Sequence, residues 1–130
     1  MKKIMVVEPD GGLRDTLGTI LLYLKHHPVL CRTTSDAMNH LQDIDLIITE
    51  FVMPGGVTSE EFIQKVTCGE FAKNHGFKSG GIPVIVITGG AERFIPPSVT
   101  SCASVVLDKP LSNMVNVIGG HIERIFNGKE

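Results

Sequence analysis

Three short, continuous runs of apolar and mostly β-branched residues constrain the fold of this chain more than any other feature. They are IMVV at 4–7, LIIT at 46–49 and VIVIT at 84–88. Strands of this composition are typical of a parallel sheet that is covered on both faces. Two weaker runs, PVLCRT at 28–33 and SVVLD at 104–108, complete a predicted set of five strands. Their alternation with helical patterns predicts a three-layer, doubly wound α/β fold with a five-stranded parallel sheet.

Amphipathic helical patterns lie between the predicted strands. The first helix is expected to end at HHP, at 26–28, and a second, short helix begins at Thr34. Thr58 and Glu61 predict a capping box for a third helix. The side chains predicted to face the core are Leu13, Leu17, Ile20 and Leu24 in the first helix, Ala37, Met38 and Leu41 in the second, and Phe62 and Val66 in the third.

Prolines and glycines mark the remaining boundaries. The proline pair at 96–97 predicts that any fourth helix is short or broken before about Ser98. The last helix is expected to start after Pro110 with Ser112 as its cap. The stretch NHGFKSGGIP at 74–83 predicts a loop. The side chains of the last helix predicted to face the core are Leu111, Val115, Ile118, Ile122 and Ile125.

Size and charge exclude several classes of function. The chain has 130 residues, a formal net charge of -2 and 12 scattered basic residues, so direct nucleic-acid binding is not expected. No apolar run approaches the ~20 residues that span a bilayer, and the amino terminus has no secretory pattern. We therefore expect a single cytoplasmic domain over residues 1–130 that makes no membrane contact.

The cysteines and histidines do not predict a metal site. Cys31, Cys68 and Cys102 fit neither a disulfide framework nor a zinc motif, and are expected to be reduced thiols in or near the core. No histidine has metal-ligand spacing with a carboxylate or a cysteine, so all five are expected to be surface residues. The histidines are His26, His27, His40, His75 and His121.

Polar residues follow the carboxyl ends of four predicted strands. They are Glu8 and Asp10 after the first, Glu50 after the third, Thr88 and Gly89 after the fourth, and Lys109 after the fifth. In a parallel sheet, ligand-binding groups gather at this edge, near the point where the strand order reverses. We therefore expect carboxylates, one hydroxyl and one ammonium to converge on one crevice.

These strand endings resemble those of response-regulator receiver domains of two-component systems, especially the chemotaxis regulators. The matching segments are VVEPDGGLRDTL at 6–17, TEFVMPGG at 49–56, VITGG at 86–90 and LDKP at 107–110, and the resemblance covers essentially all 130 residues. It implies a single receiver domain with a flavodoxin-like sheet of order 2-1-3-4-5. It also implies a cis peptide bond between Lys109 and Pro110.

The resemblance further implies a role for each residue at the crevice. In the family, an aspartate accepts a phosphoryl group, an acidic pair holds Mg²⁺, and a hydroxyl and a lysine bind the phosphoryl oxygens. By resemblance, Glu50 occupies the phosphoacceptor position. Thr88, Gly89 and Lys109 occupy the phosphoryl-binding positions, in agreement with the family pattern.

Three positions depart from that pattern. Glu50 replaces the acceptor aspartate, and its extra methylene displaces the attacking oxygen in a reaction where small misplacements can cost about 100-fold in rate. Pro9 replaces a metal-ligand carboxylate, which leaves Glu8 and Asp10 as the candidate ligands of an impaired Mg²⁺ site. Val106 replaces the usual switch aromatic.

The favoured hypothesis is an atypical receiver that is not an enzyme, needs no cofactor and signals without phosphorylation. Through its helical faces it would dock a sensor histidine kinase, an output or effector protein, or a second copy of itself. In this hypothesis Glu50 meets Lys109, and the pair either imitates a phosphoaspartate permanently or has no signalling consequence. Two alternatives are a conventional receiver that uses Mg²⁺ and accepts a phosphoryl group on Glu50, and a flavodoxin-like module that binds a small ligand.

Overall fold

The computed structural model describes residues 1–53, 58–68, 81–89 and 95–127. The strands are β1 (Lys3–Val7), β2 (His27–Cys31), β3 (Leu46–Glu50), β4 (Val84–Gly89) and β5 (Val105–Lys109). The helices of the described ranges are α1 (Gly11–Tyr23), α2 (Thr34–Ala37), α3 (Ser59–Thr67), α4 (Pro97–Thr100) and α5 (Met114–Phe126). All strands pair in parallel in the order β2-β1-β3-β4-β5, so the predicted fold class and sheet order are confirmed.

Two apolar cores lie on opposite faces of the sheet, because successive residues of a strand point to opposite sides. Met5 and Val7 of β1 pack with residues of α2, α3 and α4, including the fully buried Phe62. Ile4 and Val6 pack on the other face with residues of α1 and α5. Helices therefore cover both sides, which explains why the three central strands are almost entirely apolar.

The strand register sets which side chains meet at the carboxyl edge. β1 lies between β2 and β3, so the order of the chain reverses there. The end of β1 aligns Val7 with Thr49, the residue before Glu50. Gly89 aligns with Lys109 at the ends of β4 and β5. The carboxyl ends of β1, β3 and β5 thus lie along one edge of the sheet.

The cap of one helix agrees with the sequence, and the cap of another corrects it. Thr58 Oγ1 accepts a hydrogen bond from the Glu61 amide at 3.1 Å, whereas the Glu61 carboxylate pairs with Lys65 at 3.6 Å. The proposed cap Ser112 is wrong, because the cap of α5 is Asn113 in the left-handed conformation with φ 57°. Asparagine tolerates this conformation better than most residues.

Several other predictions are corrected. Val115 is exposed rather than in the core, and the neighbouring Met114 packs against the apolar cluster instead. Cys31 is buried as predicted, but Cys68 and Cys102 are exposed, which contradicts their expected place near the core; all three are free thiols. Cys68 lies just after α3 and Cys102 just after α4, at helix ends that face solvent.

The weaker boundary predictions are mostly confirmed. β2 starts at His27 and ends at Cys31, two residues before the predicted end, and the fourth helix is a single turn. The Lys109–Pro110 peptide bond is cis, as expected. Most of the predicted loop, 74–80, lies outside the described residues, as does His75. Among the helices that the structure describes, none is long and apolar enough to cross a membrane.

Candidate functional site

Glu8 directly follows β1 and is almost completely buried. Its Oε1 lies 3.1 Å from Lys109 Nζ, and its Oε2 accepts a hydrogen bond from the Asp10 amide at 3.1 Å. The Glu8 amide bonds to the carbonyl of Cys31 at 3.0 Å, which ties this residue to the neighbouring strand β2. Both carboxylate oxygens of Glu8 therefore have partners within the chain.

Glu50 is the last residue of β3 and is 6% exposed. Its Oε1 lies 2.5 Å from Lys109 Nζ. Its Oε2 accepts hydrogen bonds from the amides of Phe51 at 2.6 Å and Val52 at 2.8 Å. The longer glutamate side chain folds back over its own strand end, so that one oxygen meets the lysine and the other is held by the backbone.

Lys109, the last residue of β5, joins the two carboxylates. Burial alone would lower its pKa, but hydrogen bonds and charges from Glu50 and Glu8 outweigh burial and raise the pKa above its usual value. The lysine is therefore an ammonium at neutral pH. We call these three side chains the Glu-Lys-Glu cluster. Two carboxylates and one ammonium give it a formal net charge of -1.

Thr88 lies next to this cluster at the carboxyl end of β4. Its side chain is buried, and its Oγ1 has no hydrogen-bond partner within the described parts of the chain. An unsatisfied buried hydroxyl costs about 1–3 kcal/mol. Gly89 packs beside the Lys109 stem, where an added Cβ would lie 3.7 Å from the lysine Cδ, in ordinary contact. Four of the predicted site residues, Glu8, Glu50, Gly89 and Lys109, are therefore brought together, with Thr88 adjacent.

Solved receiver domains align with nearly the whole chain. A receiver domain of a signal transduction histidine kinase from Syntrophus aciditrophicus is 22% identical, with a TM-score of 0.75 over 98% of this chain and 92% of that one. The chemotaxis response regulator CheY4 of Vibrio cholerae is 19% identical, with a TM-score of 0.73 over 96% and 98% of the two chains. A BeF3-activated DrrB receiver domain is 16% identical, with a TM-score of 0.76 over 98% of each chain.

The chain has the receiver fold. No protein-family sequence model matches it, and none of the curated proteins matches it in sequence. The likeness therefore lies in the backbone arrangement, and the chemistry of this particular receiver fold has to be argued from its own side chains.

The described residues at this edge of the receiver fold do not fit Mg²⁺. The ion requires a near-octahedral set of oxygens at about 2.0–2.1 Å. Here the ammonium of Lys109 already lies against Glu8 and Glu50, and Pro9 offers no side-chain oxygen. Asp10 is exposed and caps α1, where its Oδ1 accepts from the Gly12 amide at 3.3 Å. A divalent cation would meet a positive charge where it needs free carboxylate oxygens.

Arg14 is a residue of this edge that the sequence did not single out. Its guanidinium donates hydrogen bonds to the carbonyls of Glu8 at 2.8 Å and Pro9 at 3.4 Å, and so holds the turn between β1 and α1. The one feature of the sequence that could have indicated this role is the position of Arg14, four residues after Asp10 and one turn into α1. Val106, predicted to replace a switch aromatic, packs against the core cluster of α2, α3 and α4.

One grouping that involves a histidine is not predicted by the sequence, although His40 is exposed as expected. Ligand atoms of Cys31, Asp36 and His40 all lie within 4.8 Å of one another, so His40 does have a carboxylate and a cysteine nearby. The separation of Asp36 and His40 by four residues was the signal in the sequence. Burial raises the pKa of the Cys31 thiol to about 12, with further contributions from Asp36, while the charge of Arg14 acts in the opposite direction.

Proposed function

We propose that residues 1–130 form one atypical receiver domain of a two-component pathway, which acts through protein-protein contacts and without phosphorylation. The observation that carries this proposal is the position of the Lys109 ammonium between Glu8 and Glu50, at 3.1 Å and 2.5 Å. In a phosphoryl-accepting site, a lysine in this position binds phosphoryl oxygens and a carboxylate attacks phosphorus. Here the two groups neutralise each other instead.

Phosphoryl transfer to Glu50 is disfavoured by the contacts of both of its oxygens. The attacking oxygen must point in line at phosphorus, and rate depends steeply on that placement. Oε1 is held by Lys109, and Oε2 is held by the amides of Phe51 and Val52. Attack by either oxygen requires these contacts to be broken in a site whose described residues do not fit Mg²⁺. We therefore propose that the domain is not an enzyme and needs no metal at this site.

The Glu-Lys-Glu cluster is proposed to hold the domain in one state. The contact between Lys109 and Glu50 takes the place of the contact that this lysine would make with a phosphorylated acceptor. The corresponding contact of the threonine is missing, because the Thr88 hydroxyl makes no hydrogen bond among the described residues. We infer a fixed scaffold in which the lysine is permanently engaged and the threonine is not, rather than a full imitation of a phosphoaspartate.

The proposed partners are a sensor histidine kinase, or an output or effector protein, that docks on the helical faces. Leu22 and Tyr23, at the carboxyl end of α1, are 62% and 72% exposed, which gives this helix an apolar end that a partner would cover. A second copy of the chain is the alternative occupant, and sedimentation velocity over a range of concentrations distinguishes the two. A small ligand is disfavoured because Lys109 already pairs with both carboxylates that would bind it.

Intact mass spectrometry after incubation with acetyl phosphate and Mg²⁺ tests the proposal. We expect no phosphoryl adduct on the wild-type chain. A stoichiometric adduct that disappears in Glu50→Gln but persists in Glu123→Gln would overturn it. Glu123 is the matched control because it is an exposed glutamate on α5.

A further inference from the structure

A second group of polar side chains lies at the end of β2, separate from the Glu-Lys-Glu cluster. Cys31 is the last residue of β2 and is 2% exposed. Asp36 lies in the single turn of α2, and His40 follows that turn. Their potential ligand atoms lie within 4.8 Å of one another. A thiol, a carboxylate and an imidazole are thus gathered within a ten-residue segment.

The local hydrogen bonds place Asp36 and His40 side by side. The Asp36 amide donates to Thr33 Oγ1 at 3.0 Å, which fixes the start of α2. His40 Nδ1 lies 2.9 Å from the Asp36 carbonyl oxygen and 3.7 Å from its carboxylate. Because a carbonyl oxygen only accepts, Nδ1 is the donor in this contact, and Nε2 is the other ring nitrogen that a metal could use. A metal bound through Nε2 keeps this hydrogen bond, and a metal bound through Nδ1 replaces it.

Cys31 lies near the same carboxylate. Its sulfur lies within 4.8 Å of an Asp36 carboxylate oxygen, and the charge of that carboxylate helps to raise the pKa of the thiol. The backbone of Cys31 is held by the sheet, where its carbonyl accepts from the Glu8 amide at 3.0 Å. The other two groups are more accessible: the side chains of His40 and Asp36 are 53% and 47% exposed.

We propose that Cys31, Asp36 and His40 bind a zinc ion. Sulfur, nitrogen and oxygen ligands in a set of three are typical of zinc sites that keep a fourth position for water, whereas Mg²⁺ prefers oxygen alone. Binding forms a zinc–sulfur bond and releases the thiol proton to solvent. The ion would link the end of β2 to α2. This site does not depend on the proposed receiver function.

The distances suit this ion after a small movement. Zinc bonds of about 2.0–2.3 Å place tetrahedral ligand atoms roughly 3.3–3.8 Å apart. The group spans up to 4.8 Å, so closure by about 1 Å is required, and the half-exposed side chains of Asp36 and His40 can supply it by changing rotamer.

Titration of the chain with ZnCl₂ against a chromophoric chelator, with excess Mg²⁺ present, tests the site. We expect one zinc ion per chain, and affinity at least about 10-fold weaker in His40→Ala and in Asp36→Asn, since even the partners that only orient a ligand are worth about that much. His27→Ala and Cys102→Ser are matched controls at exposed positions and should bind like the wild type. Because Asp36 and His40 are half exposed, their variants should fold.

Cobalt supplies an independent readout of the thiolate. A Co²⁺-loaded chain should show a sulfur-to-cobalt charge-transfer band in the near ultraviolet, and Cys31→Ser should lose it while Cys102→Ser keeps it. The absence of stoichiometric zinc binding would overturn the proposal. So would zinc binding that His40→Ala and Asp36→Asn leave unchanged, or a cobalt spectrum without the thiolate band.

Discussion

Replacing Lys109 with methionine removes the charge that joins Glu8 and Glu50 while keeping most of the side-chain length. Removing one partner of a buried ion pair typically costs about 3–5 kcal/mol, because a charge is left buried and uncompensated. Two structural facts reduce that figure here. The Lys109 side chain is 24% exposed, and both carboxylates keep backbone hydrogen bonds from the amides of Asp10, Phe51 and Val52. We therefore expect Lys109→Met to lower the free energy of unfolding by about 2–4 kcal/mol.

Urea denaturation at pH 7 measures this loss, and Lys65→Met is its control. Lys65 pairs with Glu61 at 3.6 Å on the surface of α3, with both side chains about half exposed. Such a pair contributes roughly 0.3–0.5 kcal/mol. If Lys109→Met is no more destabilising than Lys65→Met, the Glu-Lys-Glu cluster does not stabilise the fold and the argument for a fixed scaffold fails.

The same lysine predicts the direction of an alkaline transition. Its pKa is raised in the folded chain, so between the unfolded and folded pKa values the folded state binds more protons than the unfolded state. The stabilisation is fully present below the usual lysine pKa of about 10.4 and is lost as pH rises through the raised value. The difference in unfolding free energy between wild type and Lys109→Met should therefore be constant near neutrality and shrink in strongly alkaline buffer. A difference that grows with alkaline pH would contradict this sign.

Two further predictions concern single buried groups. Thr88→Val should lower the free energy of unfolding by less than about 1 kcal/mol, or raise it, because the hydroxyl has no partner in the described residues. Thr49→Val, in contrast, should lower the free energy of unfolding by about 1 kcal/mol, because it removes a hydrogen bond to the Glu50 carbonyl. Urea denaturation of both variants checks this, and a larger loss for Thr88→Val would reveal a partner. Iodoacetamide at neutral pH should label Cys68 and Cys102 but not the native Cys31, which is buried with a raised pKa. Intact mass under native conditions should therefore show two adducts, and a third would contradict the burial of Cys31.

The sequence predicted the sheet because its signal was local. Continuous apolar runs such as LIIT at 46–49 predict a strand covered on both sides without knowledge of its neighbours. The strand order came only from the resemblance to receivers, since no local pattern encodes it. Likewise, serine and asparagine are about equally favoured as caps, and no local pattern shows that Asn113 takes the left-handed conformation that makes it the cap of α5.

The site was predicted in part for the same reason. Strand endings placed Glu50 and Lys109 in one crevice, and their contact was anticipated. Glu8 was expected to bind a metal, but its carboxylate pairs with Lys109, which also pairs with Glu50. Glu8 and Lys109 are 101 positions apart, so spacing in the sequence cannot show this contact. The grouping of Cys31 with Asp36 and His40 was missed because the cysteine lies on a strand and the other two follow a turn, so no single periodicity relates them.

We propose that the departures of Pro9 and Glu50 from the receiver pattern are physically coupled. One lysine offsets one of two carboxylates, and the amides of Phe51 and Val52 hold Oε2 of Glu50 while Lys109 holds Oε1, so both oxygens of Glu50 are engaged without a metal. A phosphoryl group adds roughly two negative charges, which this site could accept only with a divalent cation. Glu50→Asp alone shortens the acceptor but supplies no metal ligand, and Pro9→Asp alone supplies a ligand but leaves the lysine engaged with Glu50.

Each single variant should therefore remain unmodified by acetyl phosphate and Mg²⁺, and only the Pro9→Asp, Glu50→Asp double variant should gain a phosphoryl adduct by intact mass. BeF3 with Mg²⁺ offers a second probe. It should raise the melting temperature of the double variant alone. Modification of Glu50→Asp by itself would mean that the metal ligand at position 9 is dispensable, and would refute the coupling.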